Sequence, residues 1–298
     1  MTAHAVATRG LTKRYGRDTA LDRVDLQVPD GAVFVLIGAN GAGKSTTFRL
    51  LMNLERPDEG AAEILGLDTA SRGPEARAQV GYVPERLDHS YGWMTCARLL
   101  QHVSTYYAAW DFGYADHLSK TFALRLDRRV GTLSKGESRR LQLVLALAHR
   151  PPVLLLDEPT DGLDLAMRTR ALSLLAEHLA DTPATVLMST HQIHEVDGLA
   201  DHMGVLRDGR LVAQMSRDEI QRTVRRYRAE VPELWQAPPD LQAGGVRSST
   251  RREMQWTLIG DERAVVERLT QAGALVREVS AMTLEAAALA LLTQDVTR

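Results

Sequence analysis

The sequence predicts an α/β fold, and three stretches carry that expectation. Residues Ala32-Val33-Phe34-Val35-Leu36-Ile37, Val153-Leu154-Leu155-Leu156 and Ala184-Thr185-Val186-Leu187-Met188 are nearly continuous apolar runs of strand length. Such runs mark strands buried on both faces, whereas a half-exposed strand alternates apolar and polar residues. The first run is followed by Thr46 to Met52 and the second by an amphipathic stretch reaching about Ala180, both with helical spacing. At 298 residues, with 44% hydrophobic and 25% charged side chains, the chain is long enough for one large domain and a small one.

Between the first strand and its helix lies Gly38-Ala39-Asn40-Gly41-Ala42-Gly43-Lys44-Ser45-Thr46. The glycines let the backbone curl and turn its N–H groups toward an anion, and the helix start adds partial positive charge at the same place. In such a loop Lys44 reaches the β- and γ-phosphates of a nucleotide and the Ser45 hydroxyl holds Mg²⁺. A glycine-rich turn alone is a common feature, but strand before, helix after and Lys-Ser at these positions make phosphate binding the stronger reading.

From the N-terminus onward, Val6 and its neighbours and then Leu21 to Val28 alternate as half-buried antiparallel strands, and Pro29-Asp30-Gly31 turns into the buried strand. Tyr15, beside the turn at Gly16, offers an aromatic face for a purine; by itself it reads equally as turn packing. Pro57 to Gly60 is a turn, Ala62 to Gly66 a short strand, and Ser71 to Gln79 a helix. Val80 to Glu85 is a strand ended by Pro84. From about Thr95 to Leu126 the pattern is helical, with Tyr106, Tyr107, Trp110 and Phe112 expected in core or interface packing.

Leu133-Ser134-Lys135-Gly136-Glu137 opens a strongly apolar helix. Ser134 and Glu137 have capping-box spacing, which accounts for the helix start. A helix N-terminus with a serine hydroxyl and Gly136 is also a second anion site. Pro151-Pro152 stops this helix, and the strand that follows ends in Asp157-Glu158. Two acids at the end of a core strand are costly unless a cation meets them. Mg²⁺ with a nucleotide would do so: Asp157 would hold the metal, and Glu158, pointing to the other side, would orient and deprotonate a water. Pro159 to Asp164 is a turn, and Thr190-His191 follows the third buried strand. A lone histidine there is ordinarily structural; among strand ends converging on a phosphate it is a candidate γ-phosphate sensor.

The balance of 36 basic and 38 acidic residues leaves a formal charge of -2, so no overall field draws the chain to nucleic acid or anionic membrane. Cys96 is the only cysteine, which excludes an internal disulfide and a multi-cysteine metal site. No stretch approaches the roughly 20 apolar residues that span a bilayer, and the N-terminus lacks a signal-peptide core, so a cytoplasmic protein is expected.

Together these blocks resemble the ATP-binding subunits of ATP-binding-cassette (ABC) transporters over about Val6 to Gln214. Gly38 to Ser45 is similar to the family's Walker A loop, Leu154 to Glu158 to Walker B, and Leu133 to Glu137 to the signature Leu-Ser-Gly-Gly-Gln. The resemblance places Tyr15 at the adenine-stacking position, Glu85 at the Q-loop, Asp164 at the D-loop aspartate and His191 at the switch histidine. It implies a P-loop NTPase: a RecA-like core with an antiparallel β subdomain and a helical subdomain at about 86–150, together spanning 1–221. It further implies ATP and Mg²⁺ as ligands, with Ser45, Asp157 and Glu85 near the metal. Two cassettes, identical or different, would pair head to tail, so that Ser134 and Gly136 of one meet the γ-phosphate held by Lys44 of the other. An integral-membrane subunit would dock near Glu85 and the segment from about Trp93 to Leu126, holding the protein at the inner face of the membrane.

Three positions depart from the family pattern. Glu85 replaces the usual Gln, Lys135 the first signature Gly, and Glu137 the signature Gln. Lys135 is expected to face solvent, with a cation near the phosphate as the other reading. None of these touches Lys44, Asp157, Glu158 or His191, so an active ATPase is expected. Tyr82 to Glu85, Lys135 and Ala146 to Pro151 look most like single-cassette exporter subunits. A soluble cassette acting on nucleic acid or ribosomes is the competing function; such proteins generally carry two cassettes or a long coiled-coil insertion, and neither pattern is present in the sequence.

Residues 222–298 fall outside the match. Arg222, Arg225, Arg226 and Arg228, and later Arg247, Arg251 and Arg252, read as solvated basic surface, since acids interleave. Pro232, Pro238-Pro239 and Gly244-Gly245 mark turns. Met254 to Ile259 alternates as a strand, Glu262 to Gln271 suits a helix, Leu275 to Val279 a strand, and Thr283 to Thr293 an apolar helix. The expectation is a small α/β accessory domain whose last helix packs on the cassette or on a second copy.

Overall fold

In chain order the strands are β1 (His4–Tyr15), β2 (Asp18–Val24), β3 (Gln27–Pro29), β4 (Val33–Ile37), β5 (Glu59–Ile64), β6 (Leu67–Asp68), β7 (Val80–Val83), β8 (Val153–Asp157), β9 (Thr185–Ser189), β10 (His202–Arg207), β11 (Arg210–Ser216), β12 (Val224–Glu230), β13 (Gly245–Arg247), β14 (Glu253–Ile259) and β15 (Leu275–Ala281). The helices are α1 (Lys44–Leu51), α2 (Gly73–Ala78), α3 (Cys96–Ser104), α4 (Phe112–Thr121), α5 (Lys135–Leu147), α6 (Leu165–Asp181), α7 (Ile193–Val196), α8 (Arg217–Thr223), α9 (Glu262–Gln271) and α10 (Leu284–Thr293). The computed structural model describes residues 4–86, 89–232, 235, 245–247 and 252–293. The turn expected at Pro238-Pro239 and the basic residue Arg251 lie outside these residues, whereas Gly245 opens β13.

The central sheet has the order β11-β10-β4-β9-β8-β7. Its strands run parallel from β10 to β7, and β11 is antiparallel at the edge. All five residues of β4, of β8 and of β9 are buried. Successive side chains divide between two cores: Val33, Val35 and Ile37 pack with the helical side through Leu143, Leu147 and Leu174. Phe34 and Leu36 pack on the opposite face with Val6, Leu21, Val24 and Phe48. Both faces are covered, which is why these strands carry no polar alternation. The second core is closed by an antiparallel sheet of order β2-β1-β5-β6, with β3 also paired to β1. Because β4, β9 and β8 are parallel and in register from Leu36 through Ser189 to Asp157, their carboxyl ends meet at one edge.

The helix expected over Ser71 to Gln79 is shorter, since it starts at Gly73 with Pro74 in its first turn. The expected aromatic packing divides. Tyr106 and Phe112 are each 67% exposed, while Tyr107 stacks on buried His149 at 3.8 Å between ring centroids. On the neighbouring helix, Tyr114 Oη meets His178 Nδ1 at 3.1 Å. Burial holds both imidazoles near a pKa of about 4; backbone acceptors partly offset this at His149, and the Arg150 charge reinforces it at His178. Their unfolded value is near 6.5, so between there and about 4 the unfolded chain takes up protons that the folded one refuses. Stability is therefore complete above the unfolded value and falls as pH drops, by on the order of 2 kcal/mol per histidine at about pH 5. The thermal midpoint is expected to fall between about pH 7.5 and 5, and to fall less in His178→Gln. Equal falls in the two proteins would remove His178 as a cause.

The C-terminal sheet has the order β13-β14-β12-β15, all antiparallel. Its strand β12 runs through the arginine-rich stretch that the sequence suggested was plain basic surface. Val224, Tyr227 and Ala229 are buried while Arg226, Arg228 and Glu230 are exposed, and the charges partly hide this pattern. Tyr227 and Trp256 pack under Val265 and Leu269 of α9. The last helix, α10, leaves this sheet. Leu284, Ala287, Ala288 and Leu291 join Val196, Met203, Val205 and Ile220 in the helical-side core of the central sheet, and α8 crosses the boundary expected at 221–222.

Candidate active site

The loop after β4 is shaped by two close approaches. A Cβ at Gly38 would lie 2.5 Å from the Leu206 carbonyl oxygen, and one at Gly43, whose φ is +106°, would lie 2.5 Å from that of Ala20. Only glycine fits either place without moving backbone. Lys44 begins α1 and is buried; its ammonium donates to the carbonyl oxygens of Gly38 at 2.7 Å and Ala39 at 3.3 Å. A cleft of about 580 Å³ opens beside the loop, lined by Asn40, Gly41, Gly43, Lys44, Ser45 and Thr46 from the loop and helix start. Glu85, Glu158, Asp161, His191 and Arg49 complete its lining.

The two acids at the carboxyl end of β8 diverge. Asp157 is 1% exposed and accepts from Ser189 Oγ at 2.5 Å. Burial pushes its carboxyl above the usual range, with Ser189 and Ser45 hydrogen bonds and the Lys44 charge opposing, and the Glu85 charge adding to the rise. A cation at this place would relieve that burial. Glu158 takes a left-handed backbone, φ 51°, with its N–H donating to Ser189 Oγ at 3.0 Å. Its carboxylate turns to His191, with Nδ1 2.8 Å from Oε2. A carboxylate only accepts, so Nδ1 carries the proton; Nε2 then accepts from the Gln192 amide at 3.0 Å. Glu85 accepts from Ser45 Oγ at 3.3 Å. The oxygen set of Ser45, Asp157 and Glu85 suits Mg²⁺, which binds one or two carboxylates alongside substrate phosphates.

Tyr15 sits off the cleft. Its hydroxyl contacts Glu55 and accepts from Arg49 at 3.3 Å, and Arg49 also donates to Thr46 Oγ1 at 3.1 Å. Ser134, Gly136 and Asp164 do not line this cleft. Ser134 caps α5 in a complete capping box with Glu137, at 3.2 Å and 2.8 Å. Asp164 caps α6, accepting from Met167 N–H at 2.9 Å. Lys135 is largely exposed, yet it meets neither sequence expectation fully: its ammonium lies 2.6 Å from the Asp161 carboxylate, and its stem crosses over Gly162.

Sequence reasoning missed Arg49, Asp161 and Arg139. Arg49 had a signal, since it lies three residues after Thr46 on the same helix face. Asp161 lies inside a turn already noted. Arg139, inside α5, had none, because its partners are backbone atoms distant in sequence.

The sequence profile of the ABC transporter family matches residues 21–161. The chain is 35% identical over 221 residues to the daunorubicin/doxorubicin resistance ATP-binding protein DrrA of Streptomyces peucetius, covering 73% of this chain and 67% of that protein. It is 33% identical over 293 residues to the daunorubicin resistance ATP-binding protein DrrA3 of Streptomyces coeruleorubidus, covering 94% of this chain and 92% of that one. Among solved structures, an ATP-binding subunit of an ABC transporter superposes with a TM-score of 0.66 at 30% identity, covering 73% of this chain and 92% of the other. The phosphate loop, the paired acids and the histidine thus stand in a fold and a sequence of one lineage, and the chain belongs to the ABC transporter family as an ATP-hydrolysing, ATP-binding cassette.

Proposed function

We propose that this chain drives an exporter by pairing with a second cassette around ATP and resetting on hydrolysis, while a separate integral-membrane subunit carries the cargo. The observation that supports this most is the make-up of the cleft's lining: the phosphate loop, Glu158 and His191 line it, whereas Ser134 and Gly136 at the capped start of α5 do not. A second copy, or a related cassette, would bring that anion site to the γ-phosphate. The daunorubicin-resistance relatives support export. Among the described residues no helix is long and apolar enough to cross a membrane, which suits a chain held at the inner face of the membrane by its partner. Trp93, 64% exposed, and Tyr106 beside α3 suit that partner's docking surface.

In this reading Lys44 and the loop N–H groups hold the β- and γ-phosphates, and Tyr15 supports the adenine. Ser45, Asp157 and Glu85 would hold Mg²⁺, which supplies a Lewis acid that neutralises charge on the transferred phosphoryl group. Glu158 takes a proton from the attacking water, and His191, held by Glu158 through Nδ1, is in this reading the residue that senses the γ-phosphate. The sheet β12 to β15 with α9 is an accessory domain in this reading, while α10 belongs to the core of the cassette.

Purification of the tagged chain from its own cells tests the exporter reading. An integral-membrane protein is expected to co-purify in stoichiometric amount. Ribosomes or nucleic acid in its place would support a soluble cassette instead, and a second, different cassette would identify a heterodimer.

A further inference from the structure

Arg139 is the buried cation whose function the nucleotide chemistry leaves unused. It lies one turn into α5 and is 2% exposed. Its guanidinium donates to three backbone carbonyls: Nη1 to Pro84 at 2.6 Å, Nη2 to Glu85 at 2.8 Å, and Nε to Asp161 at 3.4 Å. Two segments that reach the cleft, the turn after β7 and the turn after β8, are thus held by one planar group on a third. The contact is tight on either side. Lys135 holds the Asp161 carboxylate, and a Cβ at Gly136 would come within 2.7 Å of the Gly162 carbonyl oxygen, so the first turn of α5 rests directly on that peptide. From the other direction the Glu85 carboxylate accepts from Ser45 in the phosphate loop.

The path from Ser45 to the capped start of α5 therefore runs through two residues, Glu85 and Arg139. We propose that Arg139 is a positioning residue that couples the two nucleotide sites of the sandwich: a shift of Glu85 on nucleotide binding in one site moves the Ser134 and Gly136 wall that the same chain offers to the other. This rests on the sandwich reading above. Desolvating an arginine is costly, and the neighbouring carboxylates of Asp161, Asp157, Glu158 and Glu85 favour its charge. Charge and fork geometry together suit a link that must stay rigid while its ends move. A neutral side chain of similar length keeps some hydrogen bonds but neither the fork nor the charge.

The test uses the full chain carrying Glu158→Gln, with Arg139→Gln and Arg139→Lys added singly. Affinity for a fluorescent ATP analogue is measured at dilution, and ATP-dependent dimerisation by sedimentation. Arg139→Gln is expected to leave single-site affinity within about threefold and to raise the ATP concentration for half-dimerisation by about tenfold, the range of typical site coupling. Arg139→Lys should fall between. In the Glu158 wild-type background the ATP dependence of hydrolysis should lose its steepness. Unchanged dimerisation and steepness in folded Arg139→Gln, or parallel losses of affinity and dimerisation, would overturn the coupling role. Should Arg139→Gln fail to fold, the same criteria applied to Arg139→Lys decide. If the Glu158→Gln parent does not dimerise with ATP, the sandwich reading falls and the coupling with it. If the parent dimerises and the Arg139 variants match it, only the coupling falls.

Discussion

Glu158→Gln is expected to lower ATP turnover by about 100-fold or more while leaving nucleotide affinity close to wild type, the usual scale for losing a general base. The substitution keeps size and planarity and removes only the capacity to take a proton. Its left-handed backbone and the Ser189 hydrogen bond to its N–H persist, because neither depends on the side chain. Asp157, buried, keeps its hydrogen bond from Ser189 Oγ. His191 loses an anionic acceptor 2.8 Å from Nδ1 but keeps an amide oxygen as partner. Steady-state phosphate release and equilibrium nucleotide binding, measured on the same preparations, separate the two effects. Turnover equal to wild type would remove Glu158 as the base.

Lys44→Ala is expected to act on binding, with a loss of nucleotide affinity of about 100-fold. The Lys44 ammonium, on a buried side chain, donates to the carbonyls of Gly38 and Ala39. A triphosphate arriving there exchanges contacts to neutral acceptors for contacts to anionic oxygens. Each hydrogen bond to a charged group contributes roughly 1.5–3 kcal/mol, so one or two of them account for that magnitude. Titration calorimetry with ATP and Mg²⁺ reads the effect, and circular dichroism checks that the fold persists. An affinity within about threefold of wild type would remove Lys44 from phosphate binding.

These two variants act through residues that were identifiable in the linear sequence. Lys44 is marked by glycines at fixed distances ahead of it, and Glu158 by an apolar strand ending in two acids. Both are local patterns in which residue type and spacing alone specify the chemistry. The buried strands β4, β8 and β9 were equally plain, because a strand covered on both faces has little room for polar residues, whereas β10 carried no such reading. The helices α9 and α10 and the strands β14 and β15 followed from their periods, while β12 was obscured by arginines standing on its exposed face and β13 stood where a turn was expected.

Packing settled what periodicity left open. The sequence allowed α10 two resting places, and its buried Ala287, Ala288 and Leu291 against Met203 and Val205 choose the cassette core. Lys135, expected to face solvent, is largely exposed, yet the turn after β8 places the Asp161 carboxylate 2.6 Å from its ammonium. Arg139 was silent altogether. Its three acceptors are main-chain oxygens, which every residue type presents alike, so no side-chain pattern could reveal them. Local spacing determines where strands, helix starts and the phosphate loop fall; which distant segments one guanidinium ties together is decided only once the sheet brings their backbones into reach.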